Sequence, residues 1–169
     1  FEIDKFFNKN NKNIKKLKSV FIITGPGSFT GIRTALTFAK ILRLTLTLNL
    51  NIFGLSKFDF LNLCTKNNLR ERKDIFLHFR GNQFFYQPYA KDKPIGTPRL
   101  IAIDKEIIYN ERISYISDNS ILIDFIGVKN HKKMEENLHF VDYNLTKLPE
   151  IISDNLIENS NLRPIYISN

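Results

Sequence analysis

The sequence predicts an α/β chain built as two units, and three observations carry that expectation. A short apolar run, Val20–Ile23, is broken at Gly25-Pro26-Gly27 and followed by a long stretch of helical apolar spacing. Residues 66–73 are polar and charged, the composition of a linker. After residue 75 the texture changes to alternating and aromatic runs, the pattern of strands. The expected division is a first unit over 1–66 and a second α/β unit over 74–169.

Residues 1–9 set Phe1, Ile3, Phe6 and Phe7 among polar residues, which predicts a short helix, and 8–16 read as a polar connection. Val20–Thr24 has the pattern of a buried strand. Ser28 and Thr30 suit a helix N-cap, because a side-chain oxygen accepts from the unpaired amides of the first turn. From Thr30 to Thr47 the residues Ile32, Ala35, Leu36, Ala39 and Leu42 recur at three- and four-residue intervals, one face of a helix. Phe38, Ile41 and Leu44 add apolar surface on other sides. A helix apolar over so much of its circumference is buried on two sides. A small lobe has few elements of its own to cover the second side, so a protein partner is expected.

Asn49 and Asn51 mark a turn, Ile52–Leu55 a short strand, and Ser56–Leu63 a helix capped by Ser56. Ile75–Phe79 and Phe84–Tyr89 read as a hairpin around Arg80-Gly81-Asn82. Further strands are expected at Leu100–Ile103, Ile113–Ile116, Ile121–Ile126 and Leu138–Val141, with Asp104 capping a short helix through Ile108. Pro149-Glu150 opens a final helix over Ile151–Glu158, proline being tolerated in the first turn.

A strand–glycine loop–helix junction can hold an anion at the helix N-terminus or pack closely against another backbone, and function depends on which. Three standard chemistries fail on spacing. Gly25, Gly27 and Gly31 are spaced one residue too far for a dinucleotide fingerprint. Gly31 precedes Ile32 and Arg33 where a P-loop needs Lys and Ser or Thr. Ser28 has Pro26 and Thr30 where a nucleophile elbow needs glycines.

With 169 residues and 43% hydrophobic content the chain can bury one sizeable core or two small ones. Its 25 Lys and Arg against 17 Asp and Glu give a net charge of +8, which by itself suggests an anionic partner such as RNA. The chain is also rich in Lys, Asn, Ile and Phe, the residues an A/T-rich genome encodes most easily. The densest basic group, Lys9–Lys18, is interleaved with asparagines and reads as a solvated loop or helix end. No arginine-rich run or aromatic-plus-basic RNA-recognition motif is present. Cys64 is the sole cysteine, which excludes an internal disulfide and a cysteine-based zinc site, and its apolar neighbours suggest a small buried residue. No apolar run reaches the roughly 20 residues of a membrane span, and no secretory signal is visible. A reducing, cytoplasmic setting is expected.

Convergent catalytic groups are hard to assemble. His131 and His139 are eight apart with Lys132 and Lys133 between them, not the spacing of a metal pair on a helix. His139 with Asp142 reads as structural, and Asp118, Asp124 and Asp154 stand in separate expected elements. Arg80, at a hairpin tip, reads as a phosphate contact or a solvated turn residue. Ser28 has no visible base. No metal, cofactor or catalytic residue is assigned.

The loop Gly25-Pro26-Gly27-Ser28-Phe29-Thr30-Gly31-Ile32-Arg33 resembles the signature of the TsaB family, the non-catalytic paralogue in bacterial tRNA threonylcarbamoyladenosine formation. Ala39-Lys40, Ile52-Phe53-Gly54-Leu55-Ser56, the run Ile75–Tyr89 and Pro164-Ile165-Tyr166-Ile167 resemble further family segments in the right order. Departures accompany them. His78 and Phe79 stand for an Asp-Ala before Arg80, Ala35 and Ile41 for glycines, and Ser168 for an arginine. The family's opening strand, acidic-Thr-Ser turn and hairpin are not present. The resemblance implies an actin/Hsp70-like (ASKHA, RNase H-like) two-lobe fold whose first lobe is incomplete at the N-terminus.

For function, the resemblance implies a non-catalytic subunit that dimerizes with a TsaD-like catalytic subunit, with a TsaE-like ATPase joining, tRNA met indirectly and no membrane involved. Pairing with a second copy of itself is the other expected association. The loop signature is Gly25, Pro26, Gly27, Ser28, Phe29, Thr30, Gly31 and Arg33. The expected contact residues are Phe6, Phe7, Ile32, Leu36, Ala39 and Leu42. A peptidase-like hydrolase acting through Ser28, and a remnant without function, are the alternatives.

Overall fold

The structure, a computed structural model, describes residues 2–45, 50–65, 70–103, 110–118, 120–125, 137–141 and 162–167. The helices expected at 104–108 and 151–158 lie outside the described residues. The chain divides into two compact units, Phe1–Ser56 with Leu156–Ile165, and Lys57–Asn155 with Tyr166–Asn169. The break in the chain falls at Ser56–Lys57, one helix earlier than the polar segment 66–73.

The first unit runs α1 (Glu2–Lys9), a 3-10 turn (Ile14–Lys16), β1 (Ser19–Gly25), α2 (Phe29–Thr45) and β2 (Asn51–Ser56). β1 and β2 pair in parallel from Ser19↔Asn51 to Ile23↔Leu55, with a register shift before Gly25↔Ser56. Parallel neighbours need a crossover, and α2 supplies it. α2 turns Ile32, Leu36, Ala39 and Leu42, one stripe at three- and four-residue spacing, toward the sheet, where Ile32, Leu36 and Ala39 form a core with Ile22 and Ile52. Among the described residues α1 buries none of its side chains.

The second unit opens with α3 (Lys57–Cys64) and continues β3 (Arg72–Arg80), β4 (Gln83–Ala90), β5 (Lys93–Pro94), β6 (Arg99–Ala102), β7 (Ile113–Ser117) and β8 (Leu138–Phe140). These strands form one mixed sheet in the order β5-β4-β3-β7-β8, with β6 also on β4. β3 and β4 make the expected antiparallel hairpin, and β7 and β8 join in parallel. Successive strand residues point to opposite faces. Phe76, Phe84, Tyr86 and Tyr115 build a core on one face with Leu122. On the other face Ile75, Leu77 and Tyr89 are buried, as are Phe58, Phe60 and Leu61 of α3.

Two local expectations change. The segment expected as a strand over 121–126 is a 3-10 helix, Ser120–Phe125. Its Leu122 and Phe125, three apart and so one 3-10 turn, pack on the core with Ile121 beside them. Arg72 and Lys73, read as linker, belong to β3. Lys73 is only 4% exposed, and its ammonium donates to Asn62 Oδ1 at 2.9 Å and Asp92 Oδ1 at 2.6 Å. Burial of a charge is tolerated there because it is paired and hydrogen-bonded. Asp92 itself sits in the two-residue β4–β5 turn, where Lys91 and Asp92 have φ of 48° and 63°, the left-handed pair of a tight hairpin.

Candidate functional site

At the glycine loop the structure shows close packing against another backbone segment. Gly25 has φ +126°, a region that favours glycine, and its peptide to Pro26 is cis. A Cβ at Gly25 would stand 2.6 Å from the Ile165 carbonyl oxygen and 3.2 Å from Ile32 Cδ1. Ile165 N–H donates to the Thr24 carbonyl at 2.8 Å. A Cβ on Gly54 of β2 would overlap the Leu162 side chain and come within 2.9 Å of Thr24 Cγ2. Gly25 and Gly54 therefore make room for the returning segment 162–165, which closes over the end of the β1–β2 pair. Thr24 Oγ1 adds a bond to the Leu55 carbonyl at 3.2 Å.

At the start of α2, Ser28 Oγ accepts from Gly31 N–H at 3.3 Å, the bond of an N-cap. Thr30 lies inside the helix and is exposed, so Ser28 is the cap of the two candidates. The Arg33 guanidinium stacks 3.8 Å from the centre of the Phe29 ring. The first unit contains no histidine, so it offers Ser28 no imidazole base.

The expected contact residues divide. Ile32, Leu36, Ala39 and Leu42 are at most 8% exposed and belong to the unit's own core. This stripe faces the unit's own sheet, so these four are core residues and not an exposed surface. Phe6 is 63% exposed, Phe7 is half-buried beside it, and their rings meet edge to face at 5.7 Å. The outward face of α2 carries Phe29, Phe38, Ile41 and Leu44, the last 79% exposed. Exposed Arg33, Lys40 and Arg43 lie among them. The sequence signal for this face was present, since Phe38, Ile41 and Leu44 break the single-stripe pattern. Phe21 and Ile23 of β1 are also exposed, Phe21 stacked on Phe53 at 5.2 Å.

Elsewhere several titratable groups are held by structural partners. Arg80 donates to Gln83 Oε1 at 3.0 Å across the hairpin turn, a turn contact within the chain. Asp118 pairs with Lys57 and accepts from His78 N–H. Tyr86 donates to Asp74, and burial followed by the Asp74 charge pushes its phenol up. Asp74 in turn raises the Arg72 guanidinium. Burial pushes the Cys64 thiol up and the His139 imidazole down. No group of three or more His, Cys, Asp or Glu side chains that could hold a metal occurs among the described residues. His131, Asp142 and Asp154 lie outside them.

Comparison with known proteins gives this arrangement a context. The profile of the family described as TsaD, tRNA N6-adenosine threonylcarbamoyltransferase, matches residues 2–70. Two solved structures share the fold. One is a protein described as uncharacterized with similarity to peptidase YEAZ from Pseudomonas aeruginosa, with a TM-score of 0.65 at 13% identity over 98% of this chain and 81% of that one. The other is YeaZ from Pseudomonas aeruginosa, with a TM-score of 0.59 at 11% identity and the same coverage. The class that the fold defines is a two-unit α/β protein, similar to that family's profile over residues 2–70.

Within that class the chain is similar to the tRNA threonylcarbamoyladenosine biosynthesis protein TsaB of Buchnera aphidicola subsp. Acyrthosiphon pisum, 27% identical over 141 residues. That match covers 78% of this chain, and the chain spans 63% of the curated relative's length. The resemblance to the TsaB family read from the glycine loop is borne out by these similarities.

Proposed function

We propose that this chain is a non-catalytic partner subunit in threonylcarbamoyladenosine formation on tRNA, at the adenosine next to the anticodon. It would act by dimerizing with a TsaD-like catalytic subunit, with a TsaE-like ATPase joining the pair. The similarity to TsaB supports the pathway. The outward face of α2 supports the role: Phe38, Ile41 and Leu44 are exposed on a helix whose other face is already committed to its own sheet. Covering one such side chain fully is worth roughly 1.5–3 kcal/mol, and a cluster of them is the apolar centre of an interface. α1, with Ile3 and Phe6 exposed, adds a second apolar helix face to the same unit.

The contact set proposed here is Phe6 and Phe7 of α1 with Phe29, Phe38, Ile41 and Leu44 of α2. The test is co-purification with the TsaD-like subunit, together with nucleoside analysis of tRNA from bacteria depleted of their own TsaB. The wild-type chain is expected to hold the catalytic subunit and restore the modified adenosine. The double variant Ile41→Asp, Leu44→Asp is expected to stay folded and do neither. Undiminished capture by that variant rules out the α2 face. A homodimer that persists with the catalytic subunit in excess would give the surface to a second copy instead.

A further inference from the structure

The net charge of this protein is concentrated in one unit. Between Asp4 and Asp59 there is no acidic residue at all. Residues 1–56 hold nine Lys and Arg against Glu2 and Asp4, and the returning stretch 156–165 adds one of each sign. The first unit thus carries seven of the chain's +8 charges, and the larger second unit is close to neutral. A genome-wide preference for lysine codons would load both units alike. The asymmetry comes from missing acids, which such a preference does not explain.

All nine basic residues of 1–56 are exposed. Five of them, Lys9, Lys12, Lys15, Lys16 and Lys18, fall within ten residues at the end of α1 and through the 3-10 turn. That stretch has a defined backbone. Lys12 N–H donates to the Phe7 carbonyl at 2.9 Å, Asn13 Oδ1 accepts from Lys15 N–H at 2.9 Å, and Leu17 N–H closes on the Ile14 carbonyl at 3.0 Å. Ile14 and Leu17 are half-buried and anchor it. The lysine side chains project from a fixed turn that carries no aromatic residue and no acid.

We propose that the segment Lys9–Lys18 binds the phosphate backbone of a folded RNA directly. This rests on the reading of the chain as a subunit of a tRNA-modifying assembly, and it makes the chain itself part of the RNA-binding surface. Compact ammonium groups without stacking rings or planar donors suit phosphates rather than bases. The contact positions RNA and reads no sequence. Its signature is salt dependence, because each phosphate neutralised releases counterions and steepens the fall of log K with log salt by roughly 0.7–0.9.

The test uses the full chain alone with a fluorescently labelled tRNA transcript, titrated from low to moderate salt. The wild type is expected to bind with a dissociation constant on the order of 10⁻⁶ to 10⁻⁴ M, the range of non-specific phosphate contacts. The variant Lys12→Gln, Lys15→Gln, Lys16→Gln, Lys18→Gln is expected to weaken binding at least tenfold and flatten the salt slope by about 3. The variant Lys40→Gln, Arg43→Gln on α2 is expected to bind tRNA as the wild type does. No binding at low salt, or an unchanged slope in the four-lysine variant, overturns the proposal. Vesicles of phosphatidylcholine with phosphatidylglycerol, bound as tightly as tRNA at equal salt, overturn it in favour of a lipid surface. None of these readouts involves the catalytic subunit, so failure here leaves the α2 dimerization reading standing, and loss of co-purification leaves this one standing.

Discussion

The two units treat apolar surface differently. In the second unit the central strand β3 has a neighbour on each side, Ile75 and Ile116 are fully buried, and one face holds the core around Phe76 and Phe84. In the first unit the described strands are two, and helix α2 covers one side of them. Parallel pairs are ordinarily covered on both faces, yet Phe21 and Ile23 remain exposed, as do Phe38, Ile41 and Leu44 on the far side of α2. Among the described residues the second unit's exposed apolar side chains, Phe79, Ile95, Phe140 and Tyr166, stand on separate elements, while the first unit gathers several on one helix. The unit with that gathered apolar surface is also the unit with most of the net charge.

The comparison breaks most visibly at Leu36. Its side chain is 6% exposed in the first unit's core, and an aspartate there buries an unpaired charge, at a cost of several kcal/mol. Leu36→Asp is expected to abolish hydrogen-exchange protection in β1, α2 and β2 while the β3–β4 hairpin keeps its own. Equal loss in both units would show one cooperative structure. Phe84→Ala is the reciprocal change: it empties a fully buried site in the second unit and should cost about 3–5 kcal/mol by denaturant melt. Loss of protection should then be confined to the second unit.

Gly25→Ala sharpens the comparison at the returning segment. The added methyl meets a carbonyl oxygen and a backbone at φ +126°, so a loss of about 1–3 kcal/mol is expected, seen as lower stability of the first unit. The smallest effect is at His139. Burial lowers its pKa in the folded state, so the unfolded chain takes up the proton first as pH falls. Stability is then complete above the ordinary imidazole value of about 6.5 and falls as pH drops from there toward the folded value. His139→Gln is expected to flatten that part of the curve in thermal melts between pH 5 and 7.

The order of elements was legible because period and turn chemistry agree there. The strand before Gly25, the helix after Ser28 and the hairpin at Gly81 all carry local signals. What the sequence hid was long-range. Lys73 looked like linker because its partners, Asn62 and Asp92, lie 11 and 19 residues away. Glycine loops read alike whether they cradle an anion or a neighbouring backbone, and only the position of Ile165 distinguishes them. α2 showed two apolar stripes, and spacing cannot say which one meets its own sheet. That is why four contact candidates proved to be core while Phe38, Ile41 and Leu44 took the outer face. The acid-free stretch from residue 5 to 58 was readable throughout, but it acquires meaning once the chain is divided where the structure divides it.

The bond from Ile165 to Thr24 spans about 140 residues, a sequence separation of the kind that slows folding. During synthesis β1, α2 and β2 emerge well before the piece that fills the notches at Gly25 and Gly54, with most of the second unit between them. The second unit can fold in the interval, and domains tend to do so as units. The first unit therefore waits, its strand ends uncovered, until residues 162–165 are made. Until that segment arrives, the apolar surface it covers stays open to other chains.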